Sequence, residues 1–332
     1  MLLSPMTGIL ATMAGLQRKA GHGAGMRIAV VGAGGIGGPY GAALAAAGAE
    51  VTFVARGAHL AAIRENGLRI EGDRGATHLR PARATDDIAA IGPVDYVLFC
   101  VKLWDVERAG AQLRPLLEEE TAVVALQNGV DAAERLVALL GPEAVMGGTA
   151  FVTGQIVAPG VVRQTGTYQE MTFGELDGRI SRRGERLREL CSAAGFDAVF
   201  SPDVRVPIWQ KFLLLVPLSG LNALTRVPLG IWRADPDLLA LFEAALHETD
   251  AVGRAEGVNL PPDSIARTMA TMRAMPDHHM TSMGNDLLRG NPIELPWFAG
   301  KVAELGRRRG VPTPANAFIY AALKLYANGA PS

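Results

Sequence analysis

The segment Gly32-Ala33-Gly34-Gly35-Ile36-Gly37 constrains this chain more than any other stretch. It follows the short apolar run 27–31 and leads into the Ala-rich segment 40–47, so the pattern predicts strand, tight turn, helix. Glycines at the first, third and sixth places let the turn close, let a pyrophosphate approach the backbone, and let helix pack on strand. The positive end of the helix then faces the diphosphate. All six residues of the turn are therefore candidate cofactor contacts.

The pattern continues with strands over 51–55, 70–71, 96–101 and 122–126, separated by helical periodicity over 58–66, 105–117 and 132–140. Alternation of this kind predicts a parallel sheet. Residues 149–157, 160–164 and 169–174 read as short strands that extend the sheet in antiparallel fashion, and 180–194 as an amphipathic helix. From Val206 onward the periodicity is helical only, over 209–224, 236–256, 262–274, 293–309 and 313–326. The fold expected is α/β: a Rossmann-type dinucleotide-binding domain over 26–203 and an all-helical domain over 204–330. Residues 1–25, rich in Gly and Ala and without the layout of a signal peptide, read as a disordered leader.

Charge excludes several classes of partner. The 32 cationic residues nearly cancel the 33 acidic ones, which speaks against nucleic acid or a membrane surface as the main partner. Two cysteines, Cys100 and Cys191, supply neither a disulfide framework nor a thiolate metal site and suit a reducing, cytoplasmic setting. No apolar run is long enough to span a bilayer, and no metal site is expected. Of the 32 cationic residues only Lys19, Lys102, Lys211, Lys301 and Lys324 are lysines. Lysine can give up its proton near neutral pH and arginine cannot, which singles these five out.

The end of the second strand selects the cofactor. Enzymes that take NAD place Asp or Glu there to hold the ribose 2′-hydroxyl. Here the residue is Arg56, able to pair a 2′-phosphate through two donors, with no carboxylate at the strand end to reject it. NADP(H) is the expected cofactor. Lys102 and Asn128 follow two successive buried strands, at the sheet edge where open α/β folds bind ligands.

Taken in order, Gly32–Gly37, Ala55-Arg56-Gly57, Cys100-Val101-Lys102, Gln127-Asn128-Gly129, Trp209-Gln210-Lys211, Thr281-Ser282-Met283 with Asp286, and Glu294 resemble the ketopantoate reductases (2-dehydropantoate 2-reductases). The resemblance runs from Met26 to about Tyr326 and implies a Rossmann domain, a helical domain and an active site in the cleft between them. It implies hydride transfer from NADPH to the 2-keto group of a small 2-oxo acid, giving the 2-hydroxy acid. By resemblance Lys211 is the general acid, Glu294 lies near it, Ser282 holds the substrate carboxylate, and Lys102 and Asn128 sit between cofactor and substrate. The chemistry agrees for Lys211: hydride addition builds negative charge on the ketone oxygen, which an ammonium both stabilises and protonates. Its apolar flank, Phe212 to Val216, should lower its pKa toward the working range.

The chain departs from the resemblance on the same helix. Where the family places asparagines at the fourth and eighth positions after the lysine, this chain has Leu215 and Ser219. A third family asparagine, eighteen positions on, aligns with Leu229. Helical geometry puts Leu215, Ser219 and Asn222 within about 80° of Lys211, so Ser219 and Asn222 become the candidate substrate-binding groups. A pocket with leucine for asparagine should favour a less hydroxylated acid, so 2-dehydropantoate and a more apolar oxo acid both stand as substrates. A non-catalytic NADPH-binding or sensing protein is the remaining alternative, supported by Leu215 and Ser219 and opposed by Lys211, Ser282 and Glu294. The apolar C-terminal helices suit either a homodimer interface or an internal core.

Overall fold

The computed structural model describes residues 25–331, so the expected leader lies, except for Gly25, outside the described residues. Two compact units emerge. One comprises 25–101, Asp105–Gln127 and Ala132–Val204; the other comprises Lys102–Trp104, Asn128–Asp131 and 205–331.

The first unit is built on β1 (Arg27–Val31), β2 (Glu50–Val54), β3 (Leu68–Gly72), β4 (Thr77–Leu79), β5 (Arg83–Thr85), β6 (Tyr96–Phe99), β7 (Ala122–Ala125), β8 (Val145–Ala158), β9 (Val161–Glu175) and β10 (Asp197–Phe200). Around them run α1 (Gly37–Ala46), α2 (Gly57–Asn66), α3 (Val106–Gly110), α4 (Ala132–Leu140) and α5 (Arg182–Ala193). The sheet order is β4-β3-β9-β8-β7-β6-β1-β2-β5, with β10 also on β9. Six of these strands, β5, β2, β1, β6, β7 and β8, run parallel to one another. Counted in chain order among themselves they read 3-2-1-4-5-6, the doubly wound arrangement whose order reverses beside β1. Ile28 to Val31 and Tyr96 to Phe99 are at most 1% exposed, the continuous apolar signature of strands covered on both faces.

The three short strands expected over 149–174 are in fact one long hairpin. β8 and β9 pair antiparallel with register shifts between Phe151 and Thr153 and between Ile156 and Ala158. Gly166 falls in an expected break between strands but sits inside β9. The helix expected over 105–117 is broken into α3 and single 3-10 turns at Leu103–Asp105 and Arg114–Leu116. Pro115 lacks the N–H a continuing helix needs. One buried ion pair anchors α5 to the sheet: Arg183 donates to Glu175 through Nε at 2.8 Å and Nη2 at 2.7 Å, and its Nη1 donates to the Thr121 carbonyl at 3.1 Å.

The second unit is helical. It holds α6 (Arg205–Thr225), α7 (Leu229–Arg233), α8 (Pro236–Ala255), α9 (Ser264–Ala274), α10 (Ser282–Leu288), α11 (Ala299–Arg309) and α12 (Pro314–Leu323). Phe212 on α6 meets Trp209 and Phe298 edge-on at 5.5 and 6.3 Å between centroids, and Trp232 stacks on Phe242 at 5.6 Å. Glu248 on α8 accepts the backbone N–H groups of Ala315 and Asn316 at 2.7 and 2.9 Å, capping α12 with a remote carboxylate. The helix expected over 293–309 begins only at Ala299, since Pro296 and the backbone of Phe298 leave a separate 3-10 turn, Leu295–Trp297.

Candidate active site

In the first unit the glycine turn has the geometry its spacing calls for. Gly32 has φ +103°, and a Cβ there would lie 2.9 Å from the Cys100 backbone. At Gly37 a Cβ would lie 2.2 Å from the Gly32 carbonyl and 2.7 Å from Val30 Cγ1, so this position is fixed by helix–strand packing. A Cβ on Gly34 meets nothing within 4 Å. That opening is where a pyrophosphate would come close, so the residues present fit a dinucleotide. The backbone N–H groups of Gly32 and Ala33 both donate to the Val54 carbonyl, tying the turn to the end of β2. A residue the sequence did not single out reinforces it: His59 bonds through Nε2 to the Ala33 carbonyl at 2.9 Å, while its Nδ1 accepts from Gly160 N at 3.0 Å. Nδ1 accepts a backbone N–H, so Nε2 carries the ring proton.

Arg56 stands at the N-cap of α2 with extended backbone. Contrary to the expectation that no carboxylate approaches it, its Nη2 donates to Asp105 Oδ2 at 2.9 Å. The partner lies 49 residues away in sequence, in a segment that reads as an ordinary helix start. Arg108 holds the other oxygen of Asp105 through Nε at 3.1 Å and through Nη2. Burial pushes the Asp105 pKa up, but the two arginines outweigh it and hold the carboxyl below its usual range.

The second unit gathers most of the other candidates. Lys211, half-buried on α6, donates through Nζ to Asn128 Oδ1 at 2.7 Å. Desolvation lowers its pKa from 10.5 to about 8, against a weaker upward pull from Glu294. Glu294, 4% exposed, accepts from Leu103 N at 3.3 Å and from Lys102 Nζ at 3.4 Å. Lys102 also donates to Asp286 at 3.1 Å and lies 5.5 Å from the Trp104 ring centroid. Burial alone would lower the Lys102 pKa, yet Glu294 and Asp286 together raise it. The two lysines at these strand and helix positions are thus tuned in opposite directions. Lys102 is a fixed cation, and Lys211 is poised to exchange a proton near neutral pH.

Other candidates are placed differently. Asn222 is fully buried, its Nδ2 donating to the Val227 carbonyl at 3.1 Å and its Oδ1 accepting from Thr281 N at 3.1 Å. Both ends of its amide are committed to backbone. Ser219 is fully buried, and its Oγ has no hydrogen-bond partner. Ser282 is the exposed first residue of α10, whose N-cap is Thr281 accepting from Gly284 N at 3.2 Å. Beside Lys102, Trp104 and Trp297 approach to 6.4 Å between centroids, a pairing the sequence does not reveal. Among the described residues no group of three or more His, Cys, Asp or Glu side chains could hold a metal ion. Among the described residues no helix is long and apolar enough to cross a membrane.

A doubly wound sheet with an open glycine turn, joined in one chain to a helical unit holding a half-buried lysine of lowered pKa, defines a dinucleotide-dependent oxidoreductase fold. Comparison with known proteins narrows the class. The sequence profile of ketopantoate reductase PanE/ApbA matches residues 28–178, and that of its C-terminal domain matches 203–327. The 2-dehydropantoate 2-reductase of Mesorhizobium japonicum is 34% identical over 310 residues, covering 87% of this chain and 94% of that one. The crystal structure of a PanE/ApbA family ketopantoate reductase from Ralstonia eutropha JMP134 superposes with a TM-score of 0.84 at 33% identity, covering 91% of this chain and 98% of that one. A ternary structure of D-mandelate dehydrogenase with NADH and anilino(oxo)acetate shares the fold with a TM-score of 0.84 at 22% identity, covering 91% and 98%. The chain belongs to the ketopantoate reductase family and is an oxidoreductase.

Proposed function

We propose that this protein reduces the ketone of a small 2-oxo acid, 2-dehydropantoate or a close analogue, to the 2-hydroxy acid, using NADPH. The observation that carries the proposal is Lys211: desolvated, with a pKa of about 8, and held by Asn128 in the same unit as Lys102 and Glu294. The nicotinamide, when bound, supplies the hydride. The chain's residues do the rest. Lys211 in its ammonium form stabilises the oxyanion and delivers the proton to it. Asn128 fixes the direction of the Lys211 Nζ, and Glu294 keeps negative charge near enough to favour the ammonium form. Lys102 meets the anionic side of the ligands, and Ser282 takes the substrate carboxylate. The turn Gly32–Gly37 holds the diphosphate, and Arg56 the 2′-phosphate.

A more apolar 2-oxo acid is the second reading for the substrate, favoured by Leu215 one helical turn from Lys211. A reducing, cytoplasmic setting is supported by two unbridged cysteines, and a homodimer through the helical unit by the exposed Phe318 and Leu325. The test is NADPH oxidation by the purified protein with a panel of 2-oxo acids that includes 2-dehydropantoate and less hydroxylated analogues. Turnover of at least one acid, with NADPH preferred over NADH, supports the proposal. Tight NADPH binding with no acid turned over replaces it with the non-catalytic reading.

A further inference from the structure

The Arg56–Asp105–Arg108 cluster bears on cofactor choice in a way that Arg56 alone does not. In a doubly wound fold the ribose 2′ position lies at the end of the second strand, and Arg56 follows that strand by two residues. Asp105 sits against Arg56 at 2.9 Å with a side chain only 15% exposed. A carboxylate at this place suits a ribose hydroxyl and opposes a phosphate. Were Arg56 and Asp105 alone, they would form a neutral pair with no advantage for the phosphorylated cofactor.

Arg108 changes the sign. It engages Asp105 Oδ1 through two donors while Arg56 engages Oδ2, so both carboxylate oxygens are covered and the cluster carries one net positive charge. The neighbouring Glu107 does not cancel it, being taken by Arg135 through two bonds of 2.6 Å. Each guanidinium presents five N–H donors, and Asp105 occupies only some of them on either side. Both arginines are more than half exposed, so the remaining donors can reach a ligand.

We infer that Arg108 is a specificity-determining residue that, with Arg56, forms a two-arginine clamp for the 2′-phosphate, and that Asp105 is the positioning residue between them. This rests on the proposal that the cofactor is NADPH. The test is calorimetric titration of the full-length protein with NADP+ and with NAD+, which reads binding without turnover. Arg108→Ala should weaken NADP+ about tenfold to a hundredfold, the scale of a charged hydrogen bond lost together with an uncovered carboxylate. NAD+ affinity, which also reports that the variant is folded, should stay within about twofold, well inside the tenfold that separates a real coupling from a small one. Adding Asp105→Asn to Arg108→Ala should recover much of the NADP+ affinity by removing the exposed negative charge. Equal weakening of both cofactors by Arg108→Ala, no weakening of either, or no recovery in the double variant overturns the inference. Arg56→Ala separates the two levels. If it leaves NADP+ affinity intact, the NADPH reading itself fails; if it weakens NADP+ while Arg108→Ala is silent, only the clamp fails.

Discussion

Reduction by this protein should lose its acid as the pH rises through 8. With a pKa of about 8, Lys211 is roughly nine-tenths protonated at pH 7 and one-tenth at pH 9. A lysine at its ordinary value of 10.5 would remain almost fully charged at both. If proton delivery by Lys211 limits the rate, kcat/KM for the 2-oxo acid should therefore fall about tenfold between these two pH values. Oxidation of the 2-hydroxy acid, which needs the free amine, should rise over the same interval. Glu294→Gln removes the charge that pulls the Lys211 pKa upward, so the alkaline limb should move to lower pH. Lys211→Ala should lower turnover by roughly a hundredfold to ten-thousandfold, leave NADPH affinity nearly intact, and abolish the limb. The assay is initial rates from about pH 6 to about 10.5 at constant ionic strength, in both directions and for all three proteins. A limb that persists in Lys211→Ala, or a flat profile in the parent protein, refutes the assignment. The same shift has a counterpart in stability. Below pH 8 the folded protein bears the cost of desolvating a charged Lys211, and between about 8 and 10.5 that cost is relieved because the folded state loses its proton first.

Three further outcomes follow from particular contacts. Gly37→Ala would drive a Cβ to 2.2 Å from the Gly32 carbonyl; fluorescence titration should show dinucleotide binding lost, and thermal melting should show a lower Tm. Arg183→Leu would leave the 3%-exposed Glu175 carboxylate only the longer 3.9 Å contact to Arg179, costing about 3–5 kcal/mol in urea unfolding, and replacing Glu175 by leucine as well should restore much of that. Leu215→Asn should shift preference toward hydroxylated 2-oxo acids by about tenfold in the ratio of kcat/KM values, since one buried hydroxyl regains a partner.

The parts of the fold legible in sequence were those set by local pattern. The glycine turn, the apolar runs of β1, β6 and β7, and the long helices α6 and α8 each declare themselves through spacing. β4, β5 and β10 escaped because strands of three or four residues, half-exposed and interrupted by charge, carry no periodicity. At the site, Lys102 and Asn128 drew attention by strand-end position and Lys211 by residue type and its apolar flank, whereas Glu294 entered only through the family resemblance. Their bonding could not: the Lys102–Glu294 contact spans 192 residues, and Asp105 reached Arg56 only through folding. Asn222 shows the limit of helical-wheel reasoning. It lies on the Lys211 face by angle, but about three turns of helix separate them, and backbone groups claim both ends of its amide.

Lys102–Trp104 and Asn128–Asp131 are short excursions from the strand-bearing part of the sequence that pack as members of the helical unit. The modular boundary of this molecule is therefore not a single point on the chain. A fragment beginning at Arg205 would carry Lys211 without Asn128, and Glu294 without Lys102. A chimera that joined this helical half to a relative's Rossmann half would inherit those partners from the other parent. Recombination within such a family is then constrained at two short loops far upstream of the junction, and a graft succeeds only when those loops travel with the helices they serve.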